Sequence, residues 1–426
     1  MGAGVGTGTA AVCQLLRLGG VTAAYLDHAS TTALRPEALD ALVAQAARGA
    51  GNPSSLHSAG RRARVVVEES REALAAALGA RAGEVVWTSG GTESDNLALT
   101  GLLRARRDAD PVRRRVLLAA TEHHAVLDCV EHLQAREGVE VTWLPVDGTG
   151  LLDLAALEAA LVGDDVALVS LMWANNEVGT VQPVARAAEL AHAAGVPLHT
   201  DAVQAVGHLP VDFAASGADL LSLSAHKFGG PVGTGALLVK RGTSLVPLQH
   251  GGGQELGVRS GTLDAAGAAA SAAALTAAVA DLPTEARRLA GLRDRLLAGL
   301  TQVPGAVVRG ARPGAGRLPG NAHVTFAGCE GDSLTYLLDA AGVECSTGSA
   351  CQAGVPQPSH VLLAMGLDAE EAAGALRFSL GWNSTDADVD AALAAIGPAV
   401  ERARRARSSR TDRSRRRPRS LAGGVS

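Results

Sequence analysis

Val166-Ala167-Leu168-Val169-Ser170-Leu171 is a short apolar run. Residues 184–194 then place apolar side chains three and four apart among helix formers, and Val196-Pro197-Leu198-His199 returns to the first pattern. Strand, helix and strand in that order make a βαβ unit, whose crossover lays the two strands parallel. Working outward, Glu84-Val85-Val86-Trp87, Arg115-Val116-Leu117-Leu118-Ala119-Ala120 and Val139-Glu140-Val141-Thr142-Trp143-Leu144 read as further strands, and residues 153–161 as a further helix. Alternation of this kind from 84 to 240 predicts an α/β protein whose large, mainly parallel sheet carries helices on both faces. Ligands in such sheets lie beyond the carboxyl ends of the strands, where loops meet helix N-termini.

Lysine occurs only at Lys227 and Lys240, although Lys and Arg together number 38. A lysine kept against that bias points to chemistry a guanidinium cannot perform. Lys227 follows the apolar run Leu220-Leu221-Ser222-Leu223-Ser224 and precedes a Gly/Pro loop, Phe228-Gly229-Gly230-Pro231. An amine desolvated there can lose its proton and form a Schiff base, whereas arginine stays charged. Lys240 closes Gly235-Ala236-Leu237-Leu238-Val239 and reads as a solvated strand end. Thr88-Ser89-Gly90-Gly91-Thr92-Glu93 follows one strand and opens a helix, so its free N–H groups suit a phosphate. Asp201 ends another strand, where an acid either caps a loop or, paired with the downstream Lys227, holds a protonated pyridine nitrogen.

Composition sets the outer limits. With 426 residues and 47% hydrophobic content the chain can bury a large core and divide into two domains. Its five cysteines, Cys13, Cys129, Cys329, Cys345 and Cys351, are odd in number and lack CxxC spacing. That argues against a disulfide framework or a zinc site and predicts a reducing, cytoplasmic setting. Residues 1–20 lack the pattern of a secretory signal, and the uncharged stretch 265–280 falls short of the roughly 20 strongly apolar residues of a membrane span. From Glu401 to Ser426 ten arginines face Glu401 and Asp412, a balance of +8 that leaves −13 on the rest of a chain whose net charge is −5. That tail is expected to be disordered, a solvated extension rather than a contact for nucleic acid or an acidic partner, though its charge would suit either.

Ten stretches, in order, resemble the cysteine desulfurase family over about residues 24 to 395. They are Tyr25-Leu26-Asp27-His28-Ala29-Ser30-Thr31-Thr32, Gly51-Asn52-Pro53-Ser54-Ser55-Leu56-His57, Thr88 to Asn96, Thr121-Glu122-His123, Asn175-Asn176-Glu177-Val178-Gly179, Asp201-Ala202-Val203-Gln204, Ser224-Ala225-His226-Lys227, Gly251-Gly252-Gly253-Gln254-Glu255, Arg259-Ser260-Gly261-Thr262 and Ser346-Thr347-Gly348-Ser349-Ala350-Cys351. The resemblance implies a fold-type-I pyridoxal 5'-phosphate (PLP) enzyme that forms a homodimer. It would have a large PLP-binding domain (37–282), a smaller α/β domain (21–36 and 283–400), an N-terminal extension (1–20) and the arginine tail (401–426). The implied reaction turns L-cysteine into L-alanine and leaves the sulfur as a persulfide on Cys351, for an iron–sulfur scaffold or a tRNA thiolation enzyme.

By the same resemblance Lys227 carries the cofactor, Asp201 pairs with its ring nitrogen, Gln204 bonds the ring hydroxyl and His123 stacks on the ring. Gly91, Thr92, Ser224 and His226 hold the phosphate, with Thr262 reaching that of the other subunit. Asn176 and Arg377 bind the substrate carboxylate, where a planar fork suits the task. Cys351 lies in a small, Gly/Pro-rich segment with the length of the family's long-loop group, read as a mobile sulfur carrier. Cys345 is second choice for that role. Ser30 and Gly91 stand where the family often has alanine, and neither is expected to upset the site. Selenocysteine lyase and an ordinary class V aminotransferase are the alternative enzymes, and both leave the carrier thiol without a use. A catalytically silent partner that binds nucleic acid through its tail would not need Lys227 and Asp201.

Overall fold

Most of the apolar runs become strands buried on both faces, the edge strand Glu140–Leu144 excepted. The computed structural model describes residues 23–314, 316–348 and 358–416, the last eight as backbone only. After a two-residue strand, β1 (Ala24–Tyr25), seven strands build the large sheet. They are β2 (Val85–Thr88), β3 (Arg115–Ala119), β4 (Glu140–Leu144), β5 (Val166–Ser170), β6 (Leu198–Asp201), β7 (Leu220–Ser224) and β8 (Gly235–Val239). Their order is β2-β8-β7-β6-β5-β3-β4, and every neighbouring pair is parallel except the two made by β8. Every residue of β2, β5, β6 and β7 is buried, which is why these strands read as unbroken runs rather than alternating ones. Leu117, Val169, Leu198, Leu221 and Leu223 face one core, while Val116, Leu118, Leu168, Leu220 and Leu237 face the other, beneath the helices Gly91–Ala109 and His124–Glu137.

A second domain has its own core. Four more strands follow, β9 (Ala306–Val308), β10 (Asn321–Phe326), β11 (Val343–Glu344) and β12 (Ala375–Ser379). An antiparallel sheet takes the order β12-β10-β9, and β11 pairs in parallel with β1, so the chain's first described strand joins its last third. Leu26, Val324, Phe326, Leu334, Phe378 and Ile396 pack there together.

One helix, Ala265–Leu300, serves both domains. Ala268, Ala274, Leu275 and Ala278 belong to the large core, whereas Leu289, Leu292, Leu296 and Leu300 belong to the small one. Pro283 lies between, where a missing backbone N–H weakens the helix at the change of partner. By length and hydropathy this helix could cross a membrane. In the fold its apolar first half packs against the helices Pro36–Ala47 and Ser58–Ala77.

The arginine tail departs from the sequence expectation. The last helix runs Asp386–Arg416, so residues 401–416 are helical rather than disordered. Ala403 is buried, and Arg404 donates from Nε to the Ala327 carbonyl (2.9 Å) and from Nη2 to that of Pro304 (2.6 Å). Charge counting pointed to disorder, but alanine and arginine are both strong helix formers, and the packed end of the helix carries them onward. Residues 417–426, and the first 22 with Cys13, lie outside the described residues.

Candidate functional site

Three strand ends of the large sheet bring the chemistry together. β2 leads through Gly90 into the helix Gly91–Ala109, β6 ends on Asp201, and β7 ends on Ser224 before a single turn, Ala225–Lys227. Gly90 has φ 151°, and a Cβ on Gly91 would fall 2.7 Å from Val203 Cγ2. A side chain at 91 would require Val203 to shift, so glycine leaves room at this helix start, whose unpaired N–H groups and positive dipole end suit an anion. A cleft of about 260 Å³ opens there. Gly91, Thr92, His123, Asn176, Asp201, Gln204, Ser224, His226, Lys227 and Arg377 all line it.

The electrostatics fit a carbonyl-bearing, phosphorylated aromatic group. Lys227 Nζ donates to two backbone carbonyls, Ala29 (2.7 Å) and Ser30 (2.8 Å). Among the described residues it has no carboxylate ion-pair partner. Burial first, and then the Arg377 charge, push its pKa down to about 8. Asp201 is buried and accepts from the Val203 N–H (2.9 Å), and burial together with Asp95 raises its pKa to about 6. A cationic ring nitrogen would relieve that cost. His123 caps the helix His124–Glu137 by accepting the Ala125 N–H on Nδ1 (3.1 Å), which leaves Nε2 as its proton-bearing nitrogen, and burial lowers its pKa. Gln204 Nε2 donates to the Ala29 carbonyl (2.9 Å), and His226 Nδ1 lies 3.2 Å from Thr31 Oγ1.

Arg377 is no surface ion pair, since its side chain is 3% exposed. Nη1 donates to the Asn176 carbonyl (3.0 Å), and Nη2 donates to Asp27 Oδ1 (2.6 Å) and Ser30 Oγ (2.8 Å). Ser30, expected to be neutral to the site, thus touches this guanidinium. Thr262 is exposed and does not line the cleft of its own chain. Cys351 lies outside the described residues, but Ser346 and Gly348 before it and His360 after it all line the cleft. Cys345 packs in the small core with its thiol pushed up to about 12 by burial, so it holds almost no thiolate at neutral pH.

Sequence reasoning passed over several groups in this site. Asp95, Glu122 and Glu177 are buried carboxyls inside the stretches already quoted. Glu122 accepts the Met172 N–H (2.8 Å), and Glu177 accepts the Ser359 hydroxyl (2.5 Å) at the far side of the Cys351 segment. An acid three to seven residues beyond the end of a strand of the large sheet was the available signal. His360 donates to the Glu122 carbonyl (2.9 Å) and stacks edge-on with His124 at 5.0 Å, a contact between residues more than two hundred positions apart.

The aminotransferase class-V family matches this chain over residues 24–392. An IscS-like cysteine desulfurase of Mycobacterium tuberculosis is 57% identical over 385 residues, covering 90% of this chain and 98% of that protein. The chain belongs to the cysteine desulfurase family. Cysteine desulfurase IscS of Dictyoglomus turgidum is 42% identical, covering 89% of this chain and 95% of its own. Among solved structures a NifS-like protein superposes with TM-score 0.82 at 35% identity, covering 89% of this chain and 99% of that one. SspA in complex with cysteine superposes with TM-score 0.72 at 33% identity, covering 84% and 98%. The family is PLP-dependent, and the glycine cradle, the buried Asp201 and the desolvated Lys227 fit that cofactor.

The lowered pKa of Lys227 gives a pH dependence. Attack on the cofactor aldehyde needs the neutral amine, so PLP uptake by cofactor-free protein should accelerate as pH rises toward about 8 and level off above it. Between pH 7 and pH 9 the gain is about tenfold for a group titrating near 8. Stopped-flow absorbance from pH 6 to 10 measures it, and a rate that keeps climbing to pH 10 would mean an ordinary lysine.

Proposed function

We propose that this chain is a PLP-dependent cysteine desulfurase that converts L-cysteine to L-alanine and places the sulfur on Cys351 as a persulfide. Support for the reading comes above all from one observation: Lys227, Asp201 and Arg377 share a cleft onto which both flanks of the Cys351 segment open.

Bound in the cleft, PLP supplies an electrophilic carbon and an electron-accepting ring. Gly91, Thr92, Ser224 and His226 would hold its phosphate, Asp201 its ring nitrogen and Gln204 its hydroxyl, and His123 would stack on the ring. Arg377 and Asn176 hold the substrate carboxylate. The neutral Lys227 amine takes the substrate Cα proton and returns a proton to carbon, a transfer helped by its low pKa. The Cys351 thiolate then attacks the substrate sulfur. One S–S bond forms as the C–S bond breaks, the C–S electron pair stays with carbon, and that carbon takes a proton to become the methyl group of alanine. Thiol and cysteine thus give persulfide and alanine with no external oxidant.

Three further assignments belong to this reading. The protein works as a homodimer, in which the exposed Thr262 completes the phosphate site of the partner subunit. It acts in the cytoplasm and hands sulfur to an iron–sulfur scaffold or a tRNA thiolation enzyme. The arginine-rich end of the last helix offers a polyanion a basic contact. Incubating the holoenzyme with L-cysteine under single-turnover conditions tests the main claim, and alanine and protein-bound sulfur should appear in equal amounts. A keto acid in place of alanine would favour an aminotransferase, and turnover of selenocysteine alone would favour a lyase.

A further inference from the structure

The small sheet has two faces of opposite character. Ala322, Val324 and Phe326 of β10 and Leu376 and Phe378 of β12 fill the domain core, so His323, Thr325, Arg377 and Ser379 project from the other face. His323 is fully buried there, yet neither of its ring nitrogens has a hydrogen-bond partner. Arg377 has one unpartnered buried atom as well, its Nε, while both terminal nitrogens are engaged. Strand register sets these two residues directly opposite each other. Such cross-strand neighbours have Cβ atoms about 4.5–5.5 Å apart.

The two orphans are complementary, since Nε–H can only donate and a neutral imidazole can accept. The other two nearby arginines are occupied elsewhere. Arg309 Nε donates to Thr325 Oγ1 (2.9 Å), and Arg317 donates to the Asn321 carbonyl (3.0 Å), to Asn321 Oδ1 (3.2 Å) and to the Ala311 carbonyl (3.0 Å). Burial and the charges of Arg317, Arg377 and Arg309 drive the His323 pKa down to about 3, so the ring keeps a free lone pair throughout the neutral range.

We infer that His323 is a positioning residue for the substrate carboxylate site, accepting the Arg377 Nε–H through one buried water and so fixing the plane of that guanidinium. The inference rests on the reading of Arg377 as the carboxylate-binding group. Nη1 and Nη2 are held by Asn176, Asp27 and Ser30, but these contacts lie at the end that must rearrange around a substrate. Nε is the fixed hinge of the fork, and β10 sets an unpartnered buried acceptor, the His323 ring, directly opposite the residue that carries it. No local signal in the sequence marks this histidine, because its partner sits on a strand more than fifty residues away.

Steady-state kinetics of the holoenzyme with L-cysteine test the assignment. His323→Leu should raise KM about tenfold with kcat within about twofold, the pattern of a lost charge-assisted hydrogen bond to a binding group. His323→Gln, which keeps a neutral acceptor, should stay within about threefold of the parent KM. In an Arg377→Lys background, which lacks the Nε donor, His323→Leu should add nothing to the KM already raised, whereas a purely structural role would add its full effect. If His323→Leu does not fold, His323→Met makes the same comparison with a more adaptable side chain. An unchanged KM in the apolar variants, or additivity in the double variant, overturns the inference. An unchanged KM in Arg377→Lys alone instead removes the reading of Arg377 on which it stands.

Discussion

Lys227→Arg should lose all measurable turnover of L-cysteine, a drop of at least about four orders of magnitude, while the protein stays folded. Guanidinium is not nucleophilic and stays protonated at any working pH, so it can neither hold the cofactor covalently nor take a proton from Cα. The lysine enters the cleft from the single turn after β7, and among the described residues its ammonium bonds only the Ala29 and Ser30 carbonyls. A longer cation there can still satisfy both acceptors, which is why folding should survive. Borohydride trapping followed by mass measurement should find the cofactor fixed to the parent protein and absent from the variant. Turnover at the parental rate would remove Lys227 from the mechanism. Lys240→Arg is the control, since Lys240 is 45% exposed and among the described residues bonds only the carboxylate of Asp219 (3.1 Å).

Cys351→Ser should stop release of alanine and sulfur, by a factor of roughly a thousand or more, yet leave the cofactor bound. A serine hydroxyl is un-ionised at neutral pH and a poor nucleophile toward sulfur. None of the residues assigned to PLP binding is residue 351, so the variant should keep its colour and still change its spectrum when cysteine is added. Cys345→Ser should remain active, because that thiol is packed in the small core and raised to about 12. Alanine production at the parental rate by Cys351→Ser would reopen the lyase and aminotransferase alternatives.

Much of this was legible because the signals were local. Unbroken apolar runs such as Val166-Ala167-Leu168-Val169-Ser170 mark strands buried on both faces, and the structure has them in a mainly parallel sheet. The scarcity of lysine singled out Lys227, and the glycine pair before Thr92 announced a helix start that now lies against Val203. What stayed hidden was set by distant partners. Arg377 could be picked out only through the family resemblance, since its ion-pair partner Asp27 is 350 positions away. The contact of Ser30 with the same guanidinium depends on how the chain's first strand and its last third are brought together, and the place of His323 opposite Arg377 depends on the register of β10 with β12. The tail was misread for a different reason. A run of arginine suggests repulsion and disorder, but the same residues have high helix propensity and continue a helix already anchored by Val400 and Ala403.

The central claim is that sulfur passes from substrate cysteine to one thiol of this chain. Mass spectrometry of the holoenzyme after a brief pulse of L-cysteine, with the thiols capped by alkylation and the protein digested, tests it most directly. A gain of one sulfur atom should appear on the peptide that contains Cys345 and Cys351, and fragmentation should place it on Cys351. Added sulfur on Cys345, or alanine formed with no sulfur added to any cysteine, would contradict the account.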